Sequence, residues 1–255
     1  MKTSADQGTK YDQVMVSLFK KKWRSAITEI PFSKDEVIDA ASALGLRIKN
    51  LADVIYTYRS RRPMPKEIRR TGNWVIAARG SGLYAFVKVA GETTVTIPES
   101  LKVYSIPYAV PEIVAQNLAR DEQGLLTIVR YNRILDVFTG LACFHLQSHI
   151  RTQLPRHGQV EIDELYVGVD KDGQGFVLPV EAKEEDERLG LDKAVALTLF
   201  ARARFPHLIC RPIAILRRGL HAFDCVEFEP AEELSKVVVL EMRRYNLVTE
   251  EQPGR

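Results

Sequence analysis

Apolar and polar positions alternate in two different rhythms along this chain. Val14, Leu18 and Trp23 recur at near-helical spacing over Val14–Trp23, leaving Lys20, Lys21 and Lys22 on the outer face. Ser33 followed by Glu36 is a capping box ahead of Val37, Ile38, Ala41 and Leu44, and Gly45 ends that helix. Leu51, Val54, Ile55 and Tyr58 predict a third helix from about Lys49 to Arg59, with Pro63 and Pro65 barring its continuation. The rhythm then shortens: Trp74–Ala78 and Leu83–Val89 read as two strands around Arg79-Gly80-Ser81-Gly82.

Residues 91–133 read as a connecting region that belongs partly to the second domain. Thr93–Ile97 and Leu125–Tyr131 have the look of strands, and Val110–Ala119 that of a short helix. From 134 onward the pattern predicts a long apolar helix over Ile134–Leu154, stopped by Pro155, then strands over Val160–Val169 and Phe176–Ala182. A helix over Leu191–Phe205, strands over Leu208–Leu216 and Phe223–Phe228, and a last helix over Ala231–Tyr245 complete it. The fold class expected is α/β in the α+β sense, with domains at 1–90 and 134–255.

Charge sharpens that division. Residues 1–90 carry 17 Lys and Arg against 8 Asp and Glu, whereas the remaining residues carry 19 against 25. A basic part joined to an acidic one points to a polyanion-binding module attached to something else. No apolar run approaches membrane-spanning length, and the N-terminus lacks a signal-peptide core. Cys143, Cys210 and Cys225 are odd in number and widely spaced, which suits a reducing cytoplasm.

The candidate chemistry sits in one hairpin. Val160–Val169 and Phe176–Ala182 flank the turn cluster Lys171-Asp172-Gly173-Gln174-Gly175. Alternation puts Glu181 and Lys183 on one face of the second strand. With the turn centred on Gly173, Asp163 lies opposite Lys183 and one diagonal step from Glu181. A turn on Asp172-Gly173 would slip the register by one and bring Glu164 forward instead. Room for an extra residue in the loop favours Asp163. Two carboxylates and a lysine on neighbouring strands suit metal-assisted phosphodiester hydrolysis, because hard cations such as Mg²⁺ prefer carboxylate oxygens.

Asp163 with Glu181-Ala182-Lys183 resembles the PD-(D/E)XK nuclease superfamily, although Ile162 stands where the family usually has proline. The resemblance covers roughly residues 134–228 and implies a restriction-endonuclease-like αβββαβ core, one of whose strands is not visible in the pattern. It implies that Asp163 and Glu181 hold Mg²⁺, with the Ala182 carbonyl a further ligand, while Lys183 positions or activates the attacking water. Glu161, on the Asp163 face, could add a ligand.

In front of this, two helices and a hairpin with a basic tip resemble a winged helix-turn-helix. Lys49, Asn50, Tyr56, Thr57, Arg59, Arg61 and Arg62 then become candidate DNA contacts, with Arg79 on the wing. The combined reading is a Mg²⁺-dependent endonuclease acting on double-stranded DNA. By fold analogy it is a type II restriction enzyme, dimeric so that both strands are cut, with a DNA methyltransferase sharing its site. A repair, junction-resolving or mobile-element nuclease, and a winged-helix regulator with a silent C-terminal domain, stay open.

Other motifs carry less. His145 and His149 have zinc-compatible spacing on the expected long helix, but no third ligand or catalytic glutamate accompanies them. The acidic run 184–187 reads as the solvated approach to a helix. Arg217 and Arg218 are either backbone-contacting or simply exposed.

Overall fold

The computed structural model describes residues 8–80, 82–154, 157–185 and 187–249, apart from the side chains of Ser60 and Arg61. The chain forms two compact units, Met1–Val95 with Gln153–Val160, and Thr96–Thr152 with Glu161–Arg255.

The first unit runs α1 (Lys10–Lys22), β1 (Glu29–Ser33), α2 (Lys34–Ala43), α3 (Leu51–Tyr56), a π turn over Thr57–Arg61, α4 (Lys66–Arg69), β2 (Asn73–Gly80) and β3 (Leu83–Val89). Its three strands form an antiparallel sheet in the order β1-β3-β2. Two capping boxes fix helix starts: Thr9 with Asp12 opens α1, and Ser33 with Glu36 opens α2. Asn50 caps α3 by accepting from the Asp53 amide at 3.3 Å. Val14, Leu18, Val37, Val54 and Ile76 meet in one core, where Phe19 packs edge-on against Trp74 and Phe86. The connection between α2 and α3 spans residues 44–50. Strand β1 was hidden in the sequence by its shortness and by Pro31.

The second unit contains β4 (Val103–Pro107), α5 (Glu112–Ala115), α6 (Glu122–Tyr131), α7 (Ile134–Thr139), β5 (Ala142–Leu154), β6 (Gly158–Val169), β7 (Gly175–Lys183), α8 (Leu191–Arg204), β8 (Ile209–Cys210), β9 (Ile213–Arg217), β10 (Ala222–Phe228) and β11 (Val239–Val248). The sheet order is β4-β11-β10-β9-β7-β6-β5, with β8 also pairing β7. Strand β7 runs antiparallel to β6 and parallel to β9, the crossover from β7 to β9 carrying α8. Leu125, Leu126 and Phe138 join Leu178, Val180, Ala182, Ile213 and Ile215 in the core on one face of the sheet. Alternation turns Glu181 and Lys183 to the other face, where α8 packs on β7.

Several expectations from the hydrophobic pattern are corrected. Leu125–Tyr131 is helical, because Asp121 caps a helix that begins at Glu122 and buries Leu125, Leu126, Ile128 and Val129 at helical spacing. Ile134–Leu154 is not one helix: Gly140, at φ 72°, ends α7 and the chain leaves as strand β5. Ala231–Tyr245 is mostly extended, a 3-10 turn over Leu234–Lys236 leading into β11, as the β-branched run Val237-Val238-Val239 favours. Thr93–Ile97 forms no strand beyond an isolated bridge at Thr94. The helix expected over Val110–Ala119 shrinks to α5, and Leu208–Leu216 is broken at Arg211-Pro212 into β8 and β9.

Behind the sheet sits a charge cluster that the structure depends on. Asp224 of β10 is wholly buried (0 % exposed) and accepts from Arg218 Nε at 2.5 Å and Arg244 Nε at 2.6 Å. Removing one member of a buried pair leaves uncompensated charge. Asp224→Ala is therefore expected to cost about 3–5 kcal/mol in urea unfolding; a loss below about 1 kcal/mol would show that the two arginines simply turn to solvent.

Candidate active site

The hairpin is set by a three-residue loop, Lys171-Asp172-Gly173. Asp170 Oδ1 accepts from the Asp172 and Gln174 amides, both at 2.9 Å, and Gly173 takes the left-handed φ of 83° that this loop type requires. The ladder pairs Val169 with Gly175 and continues to Glu164 with Val180. One further step places Asp163 opposite Glu181, not opposite Lys183 as expected. The difference is two residues, because the loop is shorter than anticipated, and an even shift keeps Asp163 on the face of Glu181 and Lys183. Glu164 points the other way. It is wholly buried, ion-paired with Arg130 and hydrogen-bonded by the Tyr166 hydroxyl. Glu161 pairs with Arg151 at 3.0 Å on the surface.

Asp163, Glu181 and Lys183 are 8 %, 1 % and 4 % exposed. Asp163 Oδ2 accepts from the Ala182 amide at 2.8 Å, which ties the two strands together at the site. Lys183 Nζ lies 2.9 Å from Glu181 Oε1, 3.1 Å from Glu122 Oε1 and 3.8 Å from Glu187 Oε2, and donates to the Ala182 carbonyl at 2.7 Å. Lys193, in the first turn of α8, reaches Glu181 Oε1 at 2.6 Å. Glu181 Oε2 is buried with no hydrogen-bond partner. At the rim, Arg217 Nε donates to Glu184 Oε2 at 2.8 Å. Arg218 is held by Asp224, so neither arginine at the end of β9 projects freely. Of the acidic run, Asp186 lies outside the described residues, while Glu184 and Glu187 belong to the site's edge.

These contacts set the protonation states. Burial, reinforced by the neighbouring Glu181 charge, pushes the Asp163 carboxyl up to about 7, against the opposing pull of the Ala182 amide. Burial likewise raises Glu122, although Lys183 partly offsets it. For Lys183, burial acts to lower the ammonium pKa, but Glu181 and Glu122 outweigh it and the net shift is upward. Lys183 is thus held as a cation. Lys193 follows the same logic with Glu181 as the counter-charge.

Glu122 and Lys193 were missed in the sequence. Glu122 lies 61 residues before Lys183 and reaches it only because α6 starts beside the end of β7. His145 and His149 lie on strand β5 and not on a helix. His145 sits beside Ser148, Arg130 and the buried Glu164, and His149 adopts a φ of 51°.

The candidate DNA contacts fall unevenly. Lys49, Asn50 and Arg62 are exposed, and Tyr56 is 43 % exposed. Asn50 commits its Oδ1 to the helix cap. Thr57 is buried, three residues beyond the buried Val54 on the inward side of the helix, which removes it from any outward face. Arg59 is half-buried, its Nε without a partner. Arg79 is exposed but donates to Glu29 Oε1 at 2.8 Å. The side chain of Arg61, like Ser81 at the hairpin tip, lies outside the described residues. Arg47, Lys66, Arg69 and Arg70 are further exposed cations of this unit.

No protein-family model and no curated protein matches the chain.

Proposed function

We propose that this chain is a Mg²⁺-dependent DNA endonuclease of the PD-(D/E)XK kind, its first unit a winged-helix module that binds duplex DNA. The observation that carries this reading is the gathering of Asp163, Glu181 and Lys183 on one face of two paired strands, in a buried setting that would be costly without a role. The element order supports it: helices α6 and α7, strands β5, β6 and β7 side by side, helix α8, then β8 and β9, both parallel to β7. Strand β5, in the stretch that the sequence pattern read as part of a long helix, supports a third strand ahead of β6 and β7 in the αβββαβ series. In the first unit, the order α1, β1, α2, α3, β2, β3 with sheet order β1-β3-β2 supports the winged helix.

The residues fit a hard divalent cation. The donors are all oxygen, Glu181 Oε2 is buried and unpartnered, and burial together with the facing Glu181 charge pushes the Asp163 carboxyl up to about 7. Among the described residues no three His, Cys, Asp or Glu side chains converge as a ready-made metal cluster. The set is therefore Asp163 and Glu181, with the Ala182 carbonyl as third oxygen. Bound Mg²⁺ would lower the pKa of a water and neutralise charge developing on the phosphate. Lys183, kept cationic by Glu181 and Glu122, would orient that water and attract the phosphodiester by charge instead of serving as a base.

We assign the enzyme to restriction, two copies acting on the two strands, and the test separates the alternatives. Mixed plasmid and phage DNA is digested with Mg²⁺, with EDTA, and with Lys183→Ala. Discrete Mg²⁺-dependent bands that vanish in the variant are expected. Smears or branched-substrate products would retain the chemistry and remove the restriction role. Tight, salt-sensitive binding with no cleavage of any DNA would leave a regulator.

Binding itself should follow the exposed cations. Lys49→Ala with Arg62→Ala is expected to lower the slope of log affinity against log salt by about 2, one for each phosphate no longer neutralised. Arg79→Ala, already paired with Glu29, should change it by less than about 1. An unchanged slope in the Lys49 and Arg62 variant would place the DNA-binding surface elsewhere.

A further inference from the structure

Glu181 is paired unevenly between its two oxygens. Its Oε1 is shared by two ammonium groups, Lys183 at 2.9 Å and Lys193 at 2.6 Å, while its Oε2 is buried and bonded to nothing. The two lysines are not equivalent. Lys183 has Glu122, Glu187 and the Ala182 carbonyl as further partners and sits almost wholly inside, on the strand itself. Lys193 approaches from α8 and its side chain is 20 % exposed, against 5 % for Lys183. A divalent cation joining Glu181 would meet two positive charges already within 3 Å of the same carboxylate. Repulsion of that size in a buried setting cannot be screened by water and must be relieved by movement. The group that can move is Lys193, since Lys183 keeps other acids around it.

We propose that Lys193 is an exchangeable counter-ion for Glu181: it neutralises the carboxylate until a divalent cation arrives, and the cation enters by displacing it. Lys193 is on this view a positioning residue that sets the metal affinity of the site. The inference rests on the nuclease reading above, through Glu181 as a metal-binding oxygen. It accounts for a feature that reading does not need, a second lysine on the metal-binding acid. It also gives a sign opposite to that of a structural role. A lysine that merely supported the site would weaken metal binding when removed, whereas a competitor strengthens it.

The test is calorimetric titration of Mg²⁺, and of Mn²⁺ as a second probe, into the full chain stripped with EDTA and desalted. Lys193→Met keeps the aliphatic stem and Lys193→Gln keeps a hydrogen-bonding end, so two independent variants report should one fold poorly. Both are expected to bind the cation about tenfold more tightly than the unmodified chain, while Glu181→Gln binds it more weakly. Unchanged or weaker binding in the Lys193 variants, with Glu181→Gln still reducing it, overturns the exchange and leaves the nuclease reading standing. Binding of neither cation by any of these proteins overturns both.

Discussion

Glu181→Gln will lower Mg²⁺-dependent cleavage at least about 10³-fold, a loss of roughly 4 kcal/mol from the transition state, with duplex binding almost unchanged. The substitution keeps volume and shape but removes the charge on which the site converges. Glu181 faces Asp163 across the hairpin, carries the buried unpartnered oxygen and neutralises both Lys183 and Lys193. Without it Lys183 still has Glu122 at 3.1 Å, so the strand end keeps an ionic anchor. The cost to folding should therefore fall short of unfolding the domain, and circular dichroism can check that. On the proposed reading DNA affinity belongs to the basic first unit, so it should stay within about twofold. The informative comparison is Glu161→Gln. That glutamate was a candidate ligand too, but it pairs with Arg151 on the surface and its loss should leave cleavage nearly intact. Cleavage by Glu181→Gln within about tenfold of the original would remove this residue, and the metal site built on it, from the chemistry.

What the sequence made legible was local. The capping box at Ser33, the Asp-Gly turn and the alternation that sets Glu181 with Lys183 are each written within a few residues, and each appears in the structure. The stretch Ala142–Leu154 was misread because ACFHLQSHIRTQL fits both helical and extended spacing, and the deciding residue is Gly140, whose left-handed backbone ends the helix before it. The register of the site hairpin depended on loop length, which Asp170 fixes by holding two amides at once. Glu122 and Lys193 could not be found by spacing at all. They join Lys183 and Glu181 because α6 and α8 each begin near the end of β7, a fact of topology. Thr57 was misplaced for a smaller reason, since it follows the buried Val54 by three residues, a spacing that belongs to the inward face of the helix.

The same burial that prepares the site should make it a weak point of the metal-free protein. Asp163 has an ordinary pKa of 3.8 and is pushed up to about 7 by burial and by Glu181. A carboxyl that binds its proton more tightly when folded favours the folded state at low pH. That advantage is lost as pH rises from about 4 to about 7, where the unfolded chain has already released the proton. At about pH 8 the ionised pair should cost on the order of 2–4 kcal/mol relative to about pH 4. The side-chain amide that Asp163→Asn introduces cannot ionise, can still accept from the Ala182 amide, and can offer its own N–H toward Glu181. In EDTA, Asp163→Asn is accordingly expected to be inactive yet more stable than the unmodified chain at about pH 8, with the advantage vanishing near pH 4. Urea unfolding of both proteins across that range measures the difference directly, and the comparison cancels groups distant from Asp163, whereas Glu122, whose charge acts on Asp163, contributes to it. Mg²⁺ at about pH 8 should recover the deficit in the unmodified chain and do little for the variant, because the cation takes over the neutralising role that the proton plays in acid. A variant less stable than its parent at about pH 8 would mean that the carboxylate pair is already balanced by Lys183 and Lys193, leaving a metal little electrostatic reason to bind between them.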